Sequence, residues 1–232
     1  MRHARHEPGF LRSILDLVHP LACAACGEPS AGLCPECAAG LAVRPFAHRP
    51  RPCPPGCPPV YAACAYDGVA RRVVIGWKER GHRGAVEALG ALLAAAIARG
   101  SDAEQVDGPL LLVPVPSSVA ARRARGEDVL MRVTRRAGAE LRAAGRIARV
   151  QSVLALSRTP DDQAGLDAGA RMANLRGAMT ARDRRAGGEI VVVDDVVTTG
   201  ATLVEATRAL ALAGHPVGFA ATIAATLRRG RL

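Results

Sequence analysis

Short apolar runs alternate along this chain with longer segments whose apolar residues recur every three or four positions. The runs, most of them rich in Val, Leu and Ile, predict buried strands at residues 61–66, 110–116, 153–156, 190–193 and 217–226. The helical spacing predicts helices at residues 69–78, 85–98, 128–144 and 201–210. Strands that alternate with helices indicate an α/β fold, in which a mostly parallel sheet carries helices on both faces.

The most informative segment begins with the predicted strand at residues 190–193. Asp194 and Asp195 follow this strand, and a loop over residues 196–200 leads into the helix that begins at Ala201. The first N–H groups of a helix have no intrahelical partner, and they lie at the positive end of the helix dipole. A loop of this kind is therefore a favourable site for a phosphate group.

A plainer explanation of this loop is a helix cap. Thr202 and Glu205 have the spacing of a capping box, and Gly200 is a common turn residue. Neither feature accounts for two adjacent carboxylates at the end of a buried strand, because like charges repel and buried charges are costly. A divalent metal ion or a ligand with several hydroxyl groups would offset that cost. We therefore interpret the segment as a ligand site.

A second loop follows the predicted strand at residues 110–116. Ser117 and Ser118 would again present unpaired N–H groups, and three arginines come soon after them, within residues 122–125. Because ligands in parallel sheets bind at the carboxyl ends of strands, this loop is expected to lie near the acidic pair. The arginines suit a pyrophosphate, although a solvated helix face would have the same composition. The polar loop at residues 157–169 is long enough to act as a lid.

Two Cys-x-x-Cys pairs lie near the amino terminus, Cys23 with Cys26 and Cys34 with Cys37. Each pair can form a tight turn that presents two thiolates, and four thiolates suit one tetrahedral Zn²⁺. Redox-active dithiols are the alternative, but they normally lie in a larger strand and helix context. An element of about 20 residues cannot bury a core of its own. The Zn²⁺ is therefore predicted to be structural and to supply most of the folding energy.

Proline divides the chain into regions. Residues 44–59 contain seven prolines, which exclude a regular helix and predict a stiff linker. Residues 1–43 would then hold an amino-terminal helix and the cysteine element, and residues 60–232 the α/β domain. The linker and the strand after it contain three further cysteines, which are only weak evidence for a second metal site because their spacing is irregular: Cys53, Cys57 and Cys64.

Composition fits a globular protein that attracts anions. The chain has 232 residues, of which 49% are hydrophobic and only 3% aromatic, so Ala, Val and Leu must build the core. Its net charge is +10, and almost all of its cations are Arg because Lys78 is the only lysine. Such a surface attracts phosphates and nucleic acids. No membrane span is predicted, since no uncharged apolar stretch reaches about 18 residues, and the paired cysteines suit a reducing cytoplasm.

Several short motifs follow the cysteine element in a characteristic order. They are Tyr66-Asp67-Gly68, Trp77-Lys78-Glu79, Pro114-Val115-Pro116, Arg123-Ala124-Arg125-Gly126, the series Gln163, Leu166, Arg171, Asn174, Gly177, Ala178 and Met179, and the acidic pair with Thr198-Thr199-Gly200-Ala201-Thr202. The last motif is similar to the 5-phosphoribosyl-1-pyrophosphate (PRPP) binding motif of the type I phosphoribosyltransferases. Together the motifs resemble the ComF family, the competence-protein-F-like phosphoribosyltransferases, over nearly the whole chain from Cys23 onward.

This resemblance implies a type I phosphoribosyltransferase-like fold and a role for each motif. Asp194 and Asp195 would hold the ribose hydroxyls of PRPP, directly or through Mg²⁺, and would be the catalytic residues. The loop after them would cradle the 5-phosphate, with Val196, Val197, Thr198, Thr199, Gly200, Ala201 and Thr202. The pyrophosphate would meet groups from other segments, namely Val115, Pro116, Ser117, Ser118, Lys78 and Arg125. The second substrate or the lid would involve Gln163, Arg171 and Asn174.

Three functions remain open. The first is a transferase that moves phosphoribose from PRPP to an unknown acceptor; Thr198 stands where some purine salvage enzymes carry a proton-handling acid, so a hypoxanthine-type reaction is not expected. The competence branch of the family implies the second, a DNA-uptake protein that binds single-stranded DNA and a protein of the competence machinery. Scarce aromatic residues disfavour it, because bases stack on aromatic rings. The third is a non-catalytic PRPP sensor.

Overall fold

The computed structural model describes residues 22–80, 82–117, 128–158, 168–182 and 187–227. For five residues within these ranges only the main chain is described, namely Glu79, Arg80, Arg83, Ala168 and Arg171. The amino-terminal helix predicted within residues 1–43 falls on residues 1–21, outside the described residues.

A six-stranded sheet lies at the centre of the described structure. Its strands are β1 Phe46–His48, β2 Val60–Ala65, β3 Leu110–Pro114, β4 Ala148–Val150, β7 Glu189–Val197 and β8 Val217–Ala225. They lie in the order β1-β2-β8-β7-β3-β4, and every neighbouring pair is parallel except β1 with β2. Two short strands, β5 Leu154–Leu156 and β6 Met179–Ala181, form a separate antiparallel pair.

Helices connect the parallel strands. The described α-helices are α1 Pro35–Ala39, α2 Gly68–Arg80, α3 Val86–Ala103, α4 Val129–Ala143, α5 Ala168–Leu175 and α6 Ala201–Leu212, with a 3₁₀ turn at Arg83–Ala85. The connections through α3 and α4 cross the sheet in one direction and the connection through α6 in the other. Because such crossovers are right-handed, α6 lies on the opposite face from α3 and α4. In the described part of the chain, no helix has the length and apolarity needed to cross a bilayer.

The core is built from aliphatic side chains on the central strands. In β3 and β7, Leu112 and Val192 have no exposed surface, as expected for strands that helices cover on both faces. Three of the described aromatic residues are buried in this core. Tyr61 and Phe219 meet edge to face with their ring centroids 5.7 Å apart, and Trp77 of α2 is 2% exposed.

The α/β architecture with a mostly parallel sheet is confirmed, and several details differ from the sequence prediction. The strand predicted at residues 153–156 lies outside the main sheet, where β5 pairs with β6. β1 lies inside the segment predicted as a linker and pairs with the edge of β2. β4 and β6 were not predicted, because three residues carry too little periodicity. α5 begins inside the loop predicted at residues 157–169.

Candidate functional site

The acidic segment lies where two neighbouring strands lead to opposite faces of the sheet. β3 and β7 pair with each other, but the helices that follow them, α4 and α6, cover different faces. In open α/β sheets, the crevice at the carboxyl edge between two such strands is the usual ligand position. The loop after β3 stays close to β7, because the N–H of Val115 donates to the carbonyl of Val193 over 2.9 Å.

Asp194 and Asp195 lie inside β7. The strand was predicted to end at Val193, but its pairing with β8 keeps it extended through Val197. The Oδ1 of Asp194 accepts the N–H of Asp195 at 2.8 Å, and the Oδ1 of Asp195 accepts the N–H of Val196 at 2.7 Å. Main-chain donors thus fix both carboxyl groups at the edge of the crevice.

The two carboxyl groups differ in their surroundings. Asp194 is 8% exposed, and burial followed by the neighbouring charge of Asp195 raises the pKa of Asp194 to about 7. Lys78 extends from α2 and places its Nζ 2.5 Å from the Oδ2 of Asp195. The ammonium group lowers the pKa of Asp194 but does not restore it to its ordinary value. Lys78 therefore offsets only part of the cost of holding two acids together.

The loop after β7 leads into an uncapped helix. Gly200 precedes α6 with a left-handed φ of 76°, a conformation that costs glycine far less than other residues. Its carbonyl accepts the N–H of Val204 at 3.0 Å. Gly200, at the N-cap position, has no side chain that could cap α6, and Glu205 accepts the N–H of Met179 at 2.9 Å. The capping box considered for Thr202 is therefore not formed, and the start of α6 keeps the donors and dipole that favour an anion.

The remaining loop residues differ in exposure. Val197 and Ala201 are buried, Val196, Thr199 and Thr202 are half-buried, and Thr198 is exposed. The Oγ1 of Thr199 accepts the N–H of Ala201 over a long 3.4 Å. The loop thus offers hydroxyl groups and main-chain groups, while Val196 and Val197 at the end of β7 anchor it to the sheet.

The proline-rich segment forms a wall of this loop that was not predicted from the sequence. A Cβ added at Gly200 would lie 3.1 Å from the Cγ of Pro50 and 3.4 Å from the Sγ of Cys57. These contacts join segments more than 140 positions apart along the chain. Spacing within a sequence carries no signal for such a contact, although the run of turn-forming residues before Cys57 does indicate a fixed local conformation.

The loop after β3 supplies the second group of predicted residues. Val115 is buried, whereas Pro116 and Ser117 are half-buried. The hydroxyl of Ser117 lies 3.4 Å from the Oδ1 of Asp128, to which it donates, and Asp128 also caps α4 by accepting the N–H of Met131. Two residues predicted for the pyrophosphate lie outside the described residues: Ser118 and Arg125.

The residues predicted for the second substrate lie around α5. Asn174 is in this helix, which packs against α6, and its carbonyl accepts a guanidinium N–H of Arg158 at 2.5 Å. Gln163 and the side chain of Arg171 lie outside the described residues. Asn174 is thus near α6, the helix that follows the loop after β7, on the side of the β5–β6 pair.

The four amino-terminal cysteines come together in a second candidate site. Their Sγ atoms all lie within 4.8 Å of one another, and those of Cys26 and Cys34 are 3.6 Å apart. A tetrahedral zinc with Zn–S bonds of about 2.3 Å would hold its sulfurs about 3.8 Å apart, so the group could hold a structural metal such as zinc. Turns place the ligands: Cys23 accepts the N–H of Gly27 through its carbonyl, and Cys34 directly precedes α1, which carries Cys37.

The thiols of this cluster do not ionise alike. Burial opposes ionisation of Cys23, but main-chain N–H groups, first that of Cys34 and then that of Cys26, lower its pKa to about 6. Burial in turn raises the pKa of Cys37, and the neighbouring Cys26 and Cys23 thiols raise it further. Four adjacent thiolates are therefore stable only around a cation.

The cysteine element packs closely on α2 and the turn after it. A Cβ at Gly84 would clash with the carbonyl oxygen of Ala31, and one at Gly40 would lie 2.9 Å from the Cγ2 of Val69. The contact between Gly84 and Ala31 joins main chain to main chain, so neither segment can shift without the other. The element thus supports the helix from which Lys78 reaches Asp195.

Comparisons with known proteins add no family. No protein-family model matches the chain, and no curated protein matches it significantly.

Proposed function

We propose that this protein binds PRPP with Mg²⁺ at the carboxyl edge of β7 and β3, as a phosphoribosyltransferase-type protein of the ComF kind. The observation that carries the proposal is the arrangement of the Asp194–Asp195 pair directly before the uncapped amino terminus of α6. A pair of carboxyl groups suits a diol or a divalent cation, and a helix amino terminus suits a phosphate. PRPP carries both kinds of group on one ribose.

The buried acid is the feature that a purely structural role explains least. Asp194 is held at the edge of the crevice with a pKa raised to about 7 by burial and by Asp195. Such a group destabilises the ligand-free protein, and perturbed carboxyl groups of this kind concentrate at functional sites. Ribose hydroxyls that donate to the carboxylate, or a cation beside it, would stabilise its ionised form.

Carboxylate oxygens are suitable ligands for Mg²⁺, which binds proteins through one or two carboxylates together with phosphate oxygens. Asp194 and Asp195 are the residues that would hold it. When bound, the ion neutralises developing charge on the leaving pyrophosphate. Lys78 lies 2.5 Å from Asp195 and can release that carboxylate to a ligand by turning toward a phosphate, because its side chain is 44% exposed.

The loop donors orient the ribose 5-phosphate. Thr198 is exposed and Thr199 half-buried at the start of α6, so their hydroxyls and the first helical N–H groups can donate to phosphate oxygens. Neither hydroxyl is a base at neutral pH, so these residues bind and position but do not move a proton on an acceptor. We therefore propose transfer to an acceptor that needs no base from this loop.

The decisive experiment is calorimetric titration of PRPP with and without Mg²⁺. The expected result is Mg²⁺-dependent binding that Asp194→Asn combined with Asp195→Asn abolishes. A charge-matched control is Asp102→Asn combined with Asp107→Asn, which removes two exposed carboxylates away from the crevice. Equal PRPP affinity in the two double variants would refute the proposal.

A second measurement separates transferase from sensor. Pyrophosphate release from PRPP is followed with a panel of nucleobases as acceptors. Release that depends on one base identifies a transferase and its acceptor. Tight PRPP binding without release for any member of the panel identifies a sensor that uses the same residues.

The cysteine cluster is proposed to bind one structural Zn²⁺. Four sulfur ligands fill a tetrahedral coordination shell, which leaves no position for a reacting group. Its contribution to the proposed function is mechanical, because the element packs against the turn that follows α2.

A further inference from the structure

Cys53 and Cys57 form a separate pair of thiols outside the four-cysteine cluster. A tight turn joins them: the N–H of Cys57 donates to the carbonyl of Pro54 over 3.2 Å, and Gly56 has a left-handed φ of 80°. A turn with Pro at its second position and Gly with positive φ at its third is a stable type II turn. It folds the chain back so that the two thiols become neighbours.

The two thiols differ in accessibility. Cys53 is exposed, whereas Cys57 is half-buried. Burial and then the adjacent Cys53 raise the pKa of the Cys57 thiol to about 11. The raised pKa keeps Cys57 mostly protonated at neutral pH, so the exposed Cys53 is the thiol that reacts first with a small molecule. Cys57 then completes the exchange in a slower second step.

A cavity of about 370 Å³ adjoins the pair. Both cysteines line it, together with Arg49, Pro50 and Val60. Arg49 is exposed at its rim, and its guanidinium would attract a carboxylate. The cavity therefore suits a small anionic disulfide.

The pair also touches the proposed phosphate loop, residues 196–200. The Sγ of Cys57 would lie 3.4 Å from a Cβ placed at Gly200, so the thiol packs against the glycine that precedes α6. A disulfide would bring the two sulfurs to about 2 Å of each other, so a shift of the Cys57 sulfur toward Cys53 would change its contact with Gly200. The state of the thiols and the conformation of the loop are thereby linked through one atom.

We propose that Cys53 and Cys57 are a thiol–disulfide exchange site for anionic low-molecular-weight disulfides of the oxidised-glutathione class, and that the disulfide they form loosens the phosphate loop at Gly200. The Cys53 sulfur loses its proton and attacks one sulfur of the small disulfide, whose S–S bond breaks and releases one thiol. The Cys57 sulfur then loses its proton and attacks the Cys53 sulfur of the mixed disulfide, which releases the second thiol. Two protein thiols are oxidised and one small disulfide is reduced to two thiols.

The exchange site and its effect on the loop stand independently of the proposed function. The effect on PRPP affinity rests on that function, because it assumes that the loop binds the ligand's phosphate. The experiment therefore measures thiol chemistry, loop opening and PRPP affinity separately on the zinc-loaded full chain.

Treatment with oxidised glutathione is followed by disulfide mapping, zinc content and hydrogen exchange. We expect a Cys53–Cys57 disulfide at oxidant levels that leave the zinc bound, faster exchange at amides 196–203, and PRPP affinity lower by about fivefold or more. Cys57→Ser should accumulate the mixed disulfide on Cys53, and Cys53→Ser should keep the reduced protein's affinity and lose its response to oxidant. Cys64, which is buried in the sheet, should stay unmodified as an internal control.

Three results would overturn the proposal. One is the absence of the Cys53–Cys57 disulfide while the zinc remains bound. Another is a second zinc ion that Cys53→Ser removes, since the pair would then be a metal site. The last is a disulfide that forms without any change in exchange at the loop amides. If the loop responds but reduced protein does not bind PRPP, the proposed function fails while this inference survives.

Discussion

The four-cysteine element and the acidic end of β7 both place ionisable groups of the same kind close together. Different structural features hold those groups in place. The cysteine element spans about 20 residues, too few to hold four sulfurs together by packing alone. Asp194 and Asp195 lie on a central strand whose preceding residues are fully buried. The sheet can therefore hold its acids in place without a ligand, whereas the cysteine element is expected to fold only around the metal that we propose. Removing the proposed Zn²⁺ should unfold the cysteine element. Removing the charge of Asp194 should instead stabilise the end of β7.

The largest effect is expected from loss of zinc. Cys34→Ser should release the metal and lower the free energy of unfolding by several kcal/mol, because binding energy in such elements is folding energy. Unfolding of the cysteine element would also remove the close contact between Ala31 and Gly84 in the turn that follows α2. Zinc content by mass spectrometry and thermal unfolding test this expectation.

Cys53→Ser is the matched control for zinc loss, since Cys53 is exposed and lies outside the cluster. Under reducing conditions it should keep the zinc and the melting temperature of the wild type. A Cys34→Ser variant as stable as Cys53→Ser would show that packing, and not metal, holds the element.

The next largest effect is expected at Gly200. Gly200→Ala forces a Cβ into a left-handed conformation, which costs about 1–2 kcal/mol, and presses it toward Pro50 and Cys57. Both stability and PRPP affinity should fall. Thermal unfolding and calorimetry measure the two effects.

Gly214→Ala separates strain from contact. Gly214 has nearly the same φ, 77°, but a Cβ there meets nothing within 4 Å. This variant should lose a similar amount of stability through backbone strain and should keep PRPP binding. If both variants bind PRPP equally well, the fit of the loop against the proline-rich segment has no part in ligand binding.

A smaller effect, opposite in sign to the loss of zinc, is expected at Asp194. Its pKa is raised from 3.8 to about 7 on folding, so the folded state binds more protons than the unfolded state between these values. Stability of the ligand-free protein should therefore fall as pH rises from about 4 to about 7 and level off above. Asp194→Asn should flatten this dependence and raise stability at pH 8 by about 1 kcal/mol or more.

Denaturant unfolding at pH 5 and pH 8 tests the prediction for Asp194. PRPP should oppose the pH trend, because it favours the ionised carboxylate and binds more tightly above pH 7. The Asp107→Asn variant should keep the wild-type dependence, since Asp107 is exposed at the start of the chain segment leading into β3. A wild type whose stability is flat between pH 5 and pH 8 would contradict the buried-acid interpretation.

The cysteine cluster could be predicted from the sequence more completely than the surroundings of the acidic pair. The cysteine cluster was predicted fully, because ligand spacing within a short segment is a local property. The acidic pair and its loop were also predicted, but β7 extends past Val193 because pairing with β8 continues there. The contact of Cys57 with Gly200 and the 2.5 Å pair of Lys78 with Asp195 depend on the tertiary fold. Periodicity could not indicate them.

The smallest effect is expected at Lys78, the one predicted ligand residue that joins the two regions through α2. Lys78→Met removes a cation that lowers the pKa of Asp194, so the fall in stability should extend to a higher pH. Because the side chain is 44% exposed, solvent screens the pair, and the change in unfolding free energy at pH 8 should stay below about 1 kcal/mol. Lys78→Arg keeps the charge and should retain the wild-type pH midpoint of the fall in stability. If Lys78→Met leaves that midpoint unchanged while Asp194→Asn abolishes the transition, the acid pair is stabilised by the sheet alone and α2 contributes to ligand binding only.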